Sequence, residues 1–232
     1  VLIVGGGHAG LLLGTGLARA GLTVLLVERQ PRGAIEAATG DGRSLALLAG
    51  SVSILRRMGA WPELAPMVEP VERVEVVDVS GGGHVDYDSR QHGKGPFGVG
   101  VEHTGLRRAL LQAFLAQAGA DALRRGEVAG LARVGDGIEV SFKDGSSCRA
   151  RLVVGADGRG SRVRELARIP VERWSYDQDA LTMVLRHERP HRRTVREWMR
   201  RGGPLAILPL RGRRTGVTWV ERKADAARLA AL

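Results

Sequence analysis

VLIVGGGHAG, residues 1–10, is the stretch that decides the fold. Val1–Val4 is a short apolar run of the kind a strand buried on both faces requires. Gly5-Gly6-Gly7-His8-Ala9-Gly10 then fits the spacing G-x-G-x-x-G. Helical periodicity covers Leu11–Ala20, Gly21 stops it, and Thr23–Val27 is a second apolar run closed by Glu28. Strand, glycine turn, helix, strand and terminal acid in that order predict a βαβ dinucleotide-binding unit, which a glycine pattern alone would not. Gly5 permits the tight turn, Gly7 lets the backbone approach a pyrophosphate, and Gly10 lets the helix pack close to the sheet. The helix N-terminus aims N–H groups and a positive dipole end at the phosphates. Glu28 can accept hydrogen bonds from a ribose diol and would repel a 2′-phosphate. The site is therefore expected to take FAD or NAD rather than NADP, and this motif does not choose between the first two.

At 232 residues the chain can bury a sizeable core, and its 44% apolar share is ordinary for a globular protein. Cys148 is the only cysteine, which excludes an internal disulfide and fits a reducing compartment. The net charge of +10 is unevenly spread: residues 1–148 hold 15 basic and 16 acidic side chains, residues 149–232 hold 20 and 9. A basic last third suits nucleic acid, an anionic membrane surface or a solvated face. With no helix-turn-helix, RNA-binding or zinc-finger pattern, nucleic acid is set aside, and a peripheral membrane contact and a solvated face remain. The apolar start breaks at Gly5, too soon for a signal or membrane helix. The chain opens on a strand and closes in ADAARLAAL, a helical pattern without a cap, so it is expected to be part of a longer one.

Further along, Ser44 is placed to cap a helix over Leu45–Met58, which Gly59 ends. Val71–Val79 alternates as a strand, and the glycine-rich residues 80–96 read as loop or hairpin. Phe97–Val101 is extended, and Thr104 starts a helix to about Ala118 with Leu106, Leu110, Leu111, Phe114 and Leu115 on one face. VGDG within Leu131–Phe142 marks a hairpin, and Arg151–Val154 is a strand. Ala180–Leu185, Pro204–Leu210 and Val217–Val220 read as strands, while Thr194–Arg200 fits strand or helix. One βαβ unit, a mixed middle, a returning apolar strand and a strand-rich end predict an α/β fold. Its Rossmann-like nucleotide domain is interleaved with a mainly β substrate domain. The expected division is 1–72 and 97–170 for the nucleotide domain, and 73–96 and 171–232 for the substrate domain.

The strand at 151–154 runs into GADGRGSRVR, residues 155–164. This segment resembles the D-G-x-x-S-x-x-R fingerprint of the FAD-dependent aromatic hydroxylases typified by para-hydroxybenzoate hydroxylase, with Asp157, Gly158, Ser161 and Arg164 at its positions. On its residues alone it is equally a strand, an Asp-Gly turn and a Ser-capped basic helix. DGRSLAL (41–47), WSYDQ (174–178), HERPH (187–191) and GPLAILPL (203–210) follow one another in an order similar to that of the ubiquinone-biosynthesis hydroxylases. The resemblance covers essentially the whole chain through short pieces, and their order makes it specific. It implies that Gly5, Gly7, Gly10, Glu28 and Arg29 hold the ADP half of FAD, with Asp157 and Gly158 near the pyrophosphate. It also implies that Arg43 reaches flavin and pyrophosphate. His103 stands where the branch usually carries an Asn that contacts FAD; this departure leaves a solvated histidine as the alternative. A third FAD motif, a Gly-Asp pair, has no match in 211–232 and is expected beyond residue 232.

The resemblance implies a monooxygenase that uses NAD(P)H as co-substrate and O2 to hydroxylate a polyprenyl phenol, with the protein positioning the ring and excluding water. No Ser/His/Asp arrangement and no metal-ligand cluster is visible, and Pro190 between His187 and His191 argues against a helical metal pair. No catalytic residue is assigned. Trp174, Tyr176, Trp198 and Trp219 are candidates for an apolar substrate site, with core packing as the alternative for each. The implied setting is cytoplasmic or peripheral on the inner face of a membrane, with a hydroxylase complex as a further candidate partner. Another FAD-dependent oxidoreductase of the same fold (a reductase or halogenase), an NAD-dependent dehydrogenase, and a truncated non-catalytic nucleotide-binding fragment are the competing readings. The dehydrogenase leaves the DG segment unexplained.

Overall fold

A computed structural model describes residues 1–93 and 95–231. Lys94, within the stretch read as loop or hairpin, and Leu232, at the end of the closing helical pattern, lie outside the described residues. The chain opens with β1 (Leu2–Val4), α1 (His8–Arg19), β2 (Leu25–Glu28) and α2 (Arg32–Glu36). β3 (Ser44–Leu48), α3 (Ala49–Arg57), α4 (Trp61–Leu64), β4 (Glu69–Val71), β5 (Arg73–Asp78), β6 (His84–Asp88) and β7 (Gly98–Glu102) follow. Next come α5 (His103–Ala118), β8 (Leu123–Arg125), β9 (Val128–Val134), β10 (Gly137–Phe142), β11 (Ser147–Ala150), β12 (Val153–Gly155) and α6 (Arg162–Leu166). β13 (Gln178–Arg186), β14 (Thr194–Met199), β15 (Leu205–Leu210), β16 (Arg214–Arg222) and α7 (Lys223–Ala230) complete it. No helix among the described residues is long and apolar enough to cross a membrane.

Contacts divide the chain into two compact units. The first holds Val1–Ala38, Met58–Ala60 and Leu106–Arg173; the second holds Thr39–Arg57, Trp61–Gly105 and the chain from Trp174 on. Residues 39–57, 61–72 and 97–105 therefore group with the second unit, through their strand pairings.

Unit one is built on a four-stranded parallel sheet of order β12-β1-β2-β8. Both faces of β1 are covered, as its continuous apolar run demands. Ile3 is fully buried on the side of α1 and α5, where a Cβ on Gly14 would meet Phe114 at 2.8 Å and Ile3 at 3.4 Å. Leu2, Val4 and Val27 form a second cluster with Val128, Val140 and Phe142 of the antiparallel β11-β10-β9 sheet and with Val163 of α6. Leu106, Leu110, Leu111 and Phe114 of α5 are all buried.

Unit two contains a six-stranded sheet of order β13-β16-β15-β14-β5-β6 and a three-stranded sheet of order β3-β7-β4. In the larger sheet β14 runs parallel to β5 and every other pair is antiparallel. Residues 73–88 close as a hairpin of β5 and β6, and the ambiguous residues 194–199 are a strand. The helix expected over Leu45–Met58 is shorter: Ser44–Leu48 is a strand, not the start of a helix, and α3 begins at Ala49. The physical reason is tertiary pairing with β7. There Gly98 lies so close that a Cβ would sit 2.0 Å from the Leu47 carbonyl oxygen.

Candidate functional site

The carboxyl ends of three adjacent parallel strands bring two motifs together in unit one. β1 lies between β2 and β12, so the turn after it sits where neighbouring connections diverge, the place where open α/β sheets bind ligands. Gly5 leaves β1 with φ +110° and donates its N–H to the Val27 carbonyl at 2.8 Å. A Cβ on Gly5 would lie 2.3 Å from the Ala156 carbonyl oxygen and 2.8 Å from the Asp157 Cα. The glycine turn and the DG segment thus touch backbone to backbone, and Ala156 N–H donates to the Val4 carbonyl at 2.7 Å. Gly10 packs beneath them, where a Cβ would fall 1.9 Å from the Gly5 carbonyl oxygen.

Gly7 differs from both. It precedes α1 with φ −81° and ψ −177°, a conformation open to any residue, and nothing lies within 4 Å of its Cβ position. No side chain caps α1 there, and the first turn holds no acid. The result is a positive helix end behind an open glycine surface, which fits a pyrophosphate and the FAD that carries it.

Glu28 ends β2 almost completely buried. Its Oε2 accepts from Gly6 N–H at 2.6 Å, and its Oε1 accepts from Gln30 N–H at 2.9 Å. Gly6 is itself constrained, because a Cβ would meet the Glu28 side chain at 3.0 Å. Arg107 of α5 ties the same corner together. Its Nε donates to the Gly6 carbonyl at 2.8 Å, one terminal nitrogen reaches Gln30 Oε1 at 2.5 Å, and the other lies 3.3 Å from Glu28 Oε2. One lone-pair direction remains on Glu28 Oε1 for a ribose hydroxyl. Gly6, Gln30 and Arg107 were not singled out from sequence. Arg107 sits on the polar side of α5 beside Arg108, and only the fold carries it 101 positions back to Gly6. Arg29 is exposed.

Asp157 does not turn its carboxylate outward. Oδ1 accepts from Ser161 Oγ at 2.5 Å, and Oδ2 accepts from the N–H groups of Arg162 at 2.7 Å and Val163 at 3.2 Å. Ser161 Oγ in turn accepts from Arg164 N–H at 3.0 Å, capping α6. Arg164 closes the turn onto the Arg159 carbonyl at 2.9 Å. Asp, Ser and Arg of the DG fingerprint therefore fix the shape of the turn. They leave Gly158, at φ +85° with open space around it, as the exposed backbone.

Arg43 and His103 belong to unit two and meet there. Arg43 Nε and a terminal nitrogen donate to Asp41 Oδ2 at 3.0 and 2.5 Å, and the same nitrogen lies 3.3 Å from His103 Nδ1. His103 N–H donates to the Arg43 carbonyl at 3.0 Å, because β3 and β7 are paired up to Ser44 and Glu102. Burial opposes ionisation of Asp41, but its hydrogen bonds from Arg43 outweigh that and hold the carboxyl below its ordinary range.

In the larger sheet Val77, Trp198, Leu205, Trp219 and Leu181 are direct neighbours across five strands and share one face. Trp219 donates to Glu221 at 2.9 Å. Trp174 and Tyr176 stand apart from that row, 73% and 70% exposed and hydrogen-bonded to each other at 3.2 Å.

A family model described as "FAD binding domain" matches residues 1–228. "Ubiquinone hydroxylase UbiL" of Rhodospirillum rubrum is 37% identical over 222 residues, covering 96% of this chain and 52% of that protein. The Escherichia coli "3-demethoxyubiquinol 3-hydroxylase" is 33% identical over 226 residues, covering 97% and 58%. The chain thus spans about half the length of the curated relatives it matches. Among solved structures, Pseudomonas aeruginosa PqsL in complex with 2-aminobenzoylacetate superposes with a TM-score of 0.79 at 24% identity, over 99% of this chain and 62% of that one. Klebsiella pneumoniae HpxO complexed with FAD and uric acid gives 0.75 at 18%, over 94% and 55%. At these identities the two structures show a shared fold.

Proposed function

The chain belongs to the FAD binding domain family, and we propose that it supplies the flavin site and substrate sheet of a monooxygenase of ubiquinone biosynthesis. Its substrate would be a polyprenyl phenol, hydroxylated on the ring with NAD(P)H and O2. The observation that carries the reading is the meeting of the Gly5–Gly7 turn, Glu28 and the Asp157-Gly158 backbone at one sheet edge, in a chain similar to ubiquinone hydroxylases. The division proposed is 1–72 and 97–170 for the cofactor, and 73–96 and 171–232 for the substrate.

With FAD held there, the two electrons of NAD(P)H and a proton would reduce dioxygen, so that one oxygen atom would enter the ring as hydroxyl and the other would leave as water. The chain's own part is to bind, orient and exclude water. Gly5 and Gly10 shape the turn, and Gly7 with the N-terminus of α1 receives the pyrophosphate. Glu28, held by Gly6, Gln30 and Arg107, presents a carboxylate oxygen to the ribose. Arg29, Asp157 and Gly158 complete the ADP side, and the family resemblance assigns Arg43 and His103 to the cofactor as well. The row containing Trp198 and Trp219 offers an apolar and aromatic face for the substrate. A substrate this apolar resides in membrane, so we place the protein peripherally on the inner face of a membrane, within reach of a hydroxylase complex.

The test is direct. Purified protein, incubated with FAD and desalted, should keep the flavin absorbance bands, and NAD(P)H oxidation should rise when a polyprenyl phenol is added and yield a hydroxylated product. Flavin-free protein, or oxidation indifferent to the phenol, contradicts the reading.

A further inference from the structure

We propose that the end of the six-stranded sheet formed by residues 186–193 and 211–214 is a docking surface for an anionic phospholipid bilayer. β13 ends there at Arg186, β14 begins at Thr194, β15 ends at Leu210 and β16 begins at Arg214. Arg186 pairs with Arg214, and Leu210 pairs with Arg214 on the other side, so the two loops rise side by side.

Two histidines staple the loops together. His187 N–H donates to the Arg213 carbonyl at 3.1 Å, and Thr215 Oγ1 lies 3.0 Å from His187 Nε2. Arg193 N–H donates to His191 Nδ1 at 3.1 Å; that nitrogen is thus the acceptor, and Nε2–H donates to the Leu210 carbonyl at 3.2 Å. The two rings meet edge to face at 5.6 Å. These contacts tie the two loops to each other.

Its charge is only slightly compensated: residues 186–193 and 211–214 hold seven arginines against one acidic side chain, the exposed Glu188. Arg193 pairs with Glu69 and Glu72, and Arg214 with Glu102. Arg186, Arg189, Arg192, Arg211 and Arg213 are exposed and have no carboxylate within ion-pair distance among the described residues. Elsewhere Arg73, Arg90, Arg124, Arg149 and Arg196 each have an acidic partner, while the exposed Arg57, Arg125 and Arg133 are scattered without one among the described residues; this end is set apart by gathering five such arginines on two adjoining loops. Among the described residues, three of the four non-glycine residues with left-handed backbone lie at this end, Arg192 (φ 53°), Arg193 (φ 55°) and Arg213 (φ 56°). L-residues adopt that conformation at a cost, which the stapled loops sustain while presenting the guanidinium groups outward.

Guanidinium groups match phosphate with paired N–H donors. Leu185, 49% exposed, and the exposed Pro190 add apolar atoms among the cations, the mixture that suits a headgroup boundary. The two loops hold no Phe, Tyr or Trp on which nucleic-acid bases could stack, and both histidine rings are tied into the loop staples. The choice of a bilayer over a soluble anion rests on the membrane-dwelling substrate proposed above.

The experiment is vesicle co-sedimentation of the intact protein with phosphatidylcholine vesicles with and without phosphatidylglycerol. Wild type is expected to bind only the anionic vesicles and to release as salt rises. Arg189→Gln, Arg192→Gln and Arg211→Gln together should lower the partition on the order of a hundredfold, about fivefold per arginine. The control with equal charge loss, Arg57→Gln, Arg125→Gln and Arg133→Gln, should stay within about twofold of wild type if the rim, not net charge, governs binding. Equal loss in both variants, no loss in the rim variant, or a rim-dependent retention on DNA without vesicle binding overturns the proposal. Flavin retention and turnover of a short-chain soluble phenol, measured without vesicles, keep the two proposals apart. Wild type that docks through the rim but turns over no phenol defeats the proposed function and leaves the rim standing. Turnover without anionic-vesicle binding does the reverse.

Discussion

Gly7 and Gly10 stand three residues apart in one motif, and their substitution to alanine should fail in opposite ways. At Gly10 a methyl group would lie 1.9 Å from the Gly5 carbonyl oxygen and 3.3 Å from the Ala156 Cβ. The first distance is short of an ordinary non-bonded contact by more than about 1 Å, and the obstacle is backbone already committed to φ +110°. Gly10→Ala is therefore expected to cost at least the upper end of the overpacking range, about 3 kcal/mol. At Gly7 the new methyl meets nothing within 4 Å, and φ −81° suits alanine. A small capping loss of roughly 0.5–1 kcal/mol is offset by the lower entropy of the unfolded chain, roughly 0.4–1 kcal/mol, so stability should hardly move. The methyl instead stands where the phosphates approach. Losing one charge-assisted hydrogen bond, roughly 1.5–3 kcal/mol, weakens FAD binding about ten- to hundredfold. Urea unfolding followed by circular dichroism, beside a fluorescence titration with FAD, separates the two effects. Wild-type FAD affinity in Gly7→Ala, or a stability loss there equal to that of Gly10→Ala, would show that the two glycines do not have these separate roles.

Three further outcomes follow from the same geometry. Arg107→Leu keeps the aliphatic stem but removes the bonds to the Gly6 carbonyl, Gln30 and Glu28, so urea unfolding should show a loss of about 1–3 kcal/mol and FAD should bind more weakly; an unchanged midpoint counts against the brace. Ser161→Ala removes the cap on Arg164 N–H and should cost about 0.5–2 kcal/mol, read from the same unfolding curves. Hydrogen bonds from the Arg90 side chain and N–H pull the Asp88 carboxyl down from 3.8 to about 2. Because the folded value is the depressed one, the pair's contribution is complete above the unfolded value and fades as pH falls through about 2. An NMR titration should find that midpoint and see it return toward the ordinary range in Arg90→Ala; an ordinary midpoint in wild type would mean that the pair does not form.

The βαβ unit was legible because burial on both faces demands an unbroken apolar run, and because each glycine answers a distinct steric need. The DG segment was legible as a motif, but the roles of its residues were not. Only coordinates reveal that Asp157 and Ser161 cap α6 and that Gly5 rests on the Ala156–Asp157 backbone. Ser44–Leu48 misled because five residues of mixed burial carry no decisive period; pairing with β7 across a long separation made them a strand. Thr194–Met199 stayed ambiguous for a related reason, since its parallel partner β5 lies about 120 residues earlier, as in the register of Thr194 with Arg73. Arg107 illustrates what pattern reading misses: a polar-face residue in a helix, silent until the fold sets it against a turn 101 residues earlier.

Ring hydroxylation with dioxygen as the oxygen source is the activity we propose for this chain of the FAD binding domain family. The most direct measurement is the mass of a polyprenyl phenol after incubation with the protein, FAD, NAD(P)H and heavy-isotope dioxygen in ordinary water. The account predicts a product with one added oxygen atom that carries the heavy isotope, formed only when NAD(P)H is present. Unchanged phenol alongside retained flavin, or an added oxygen drawn from water, would contradict it.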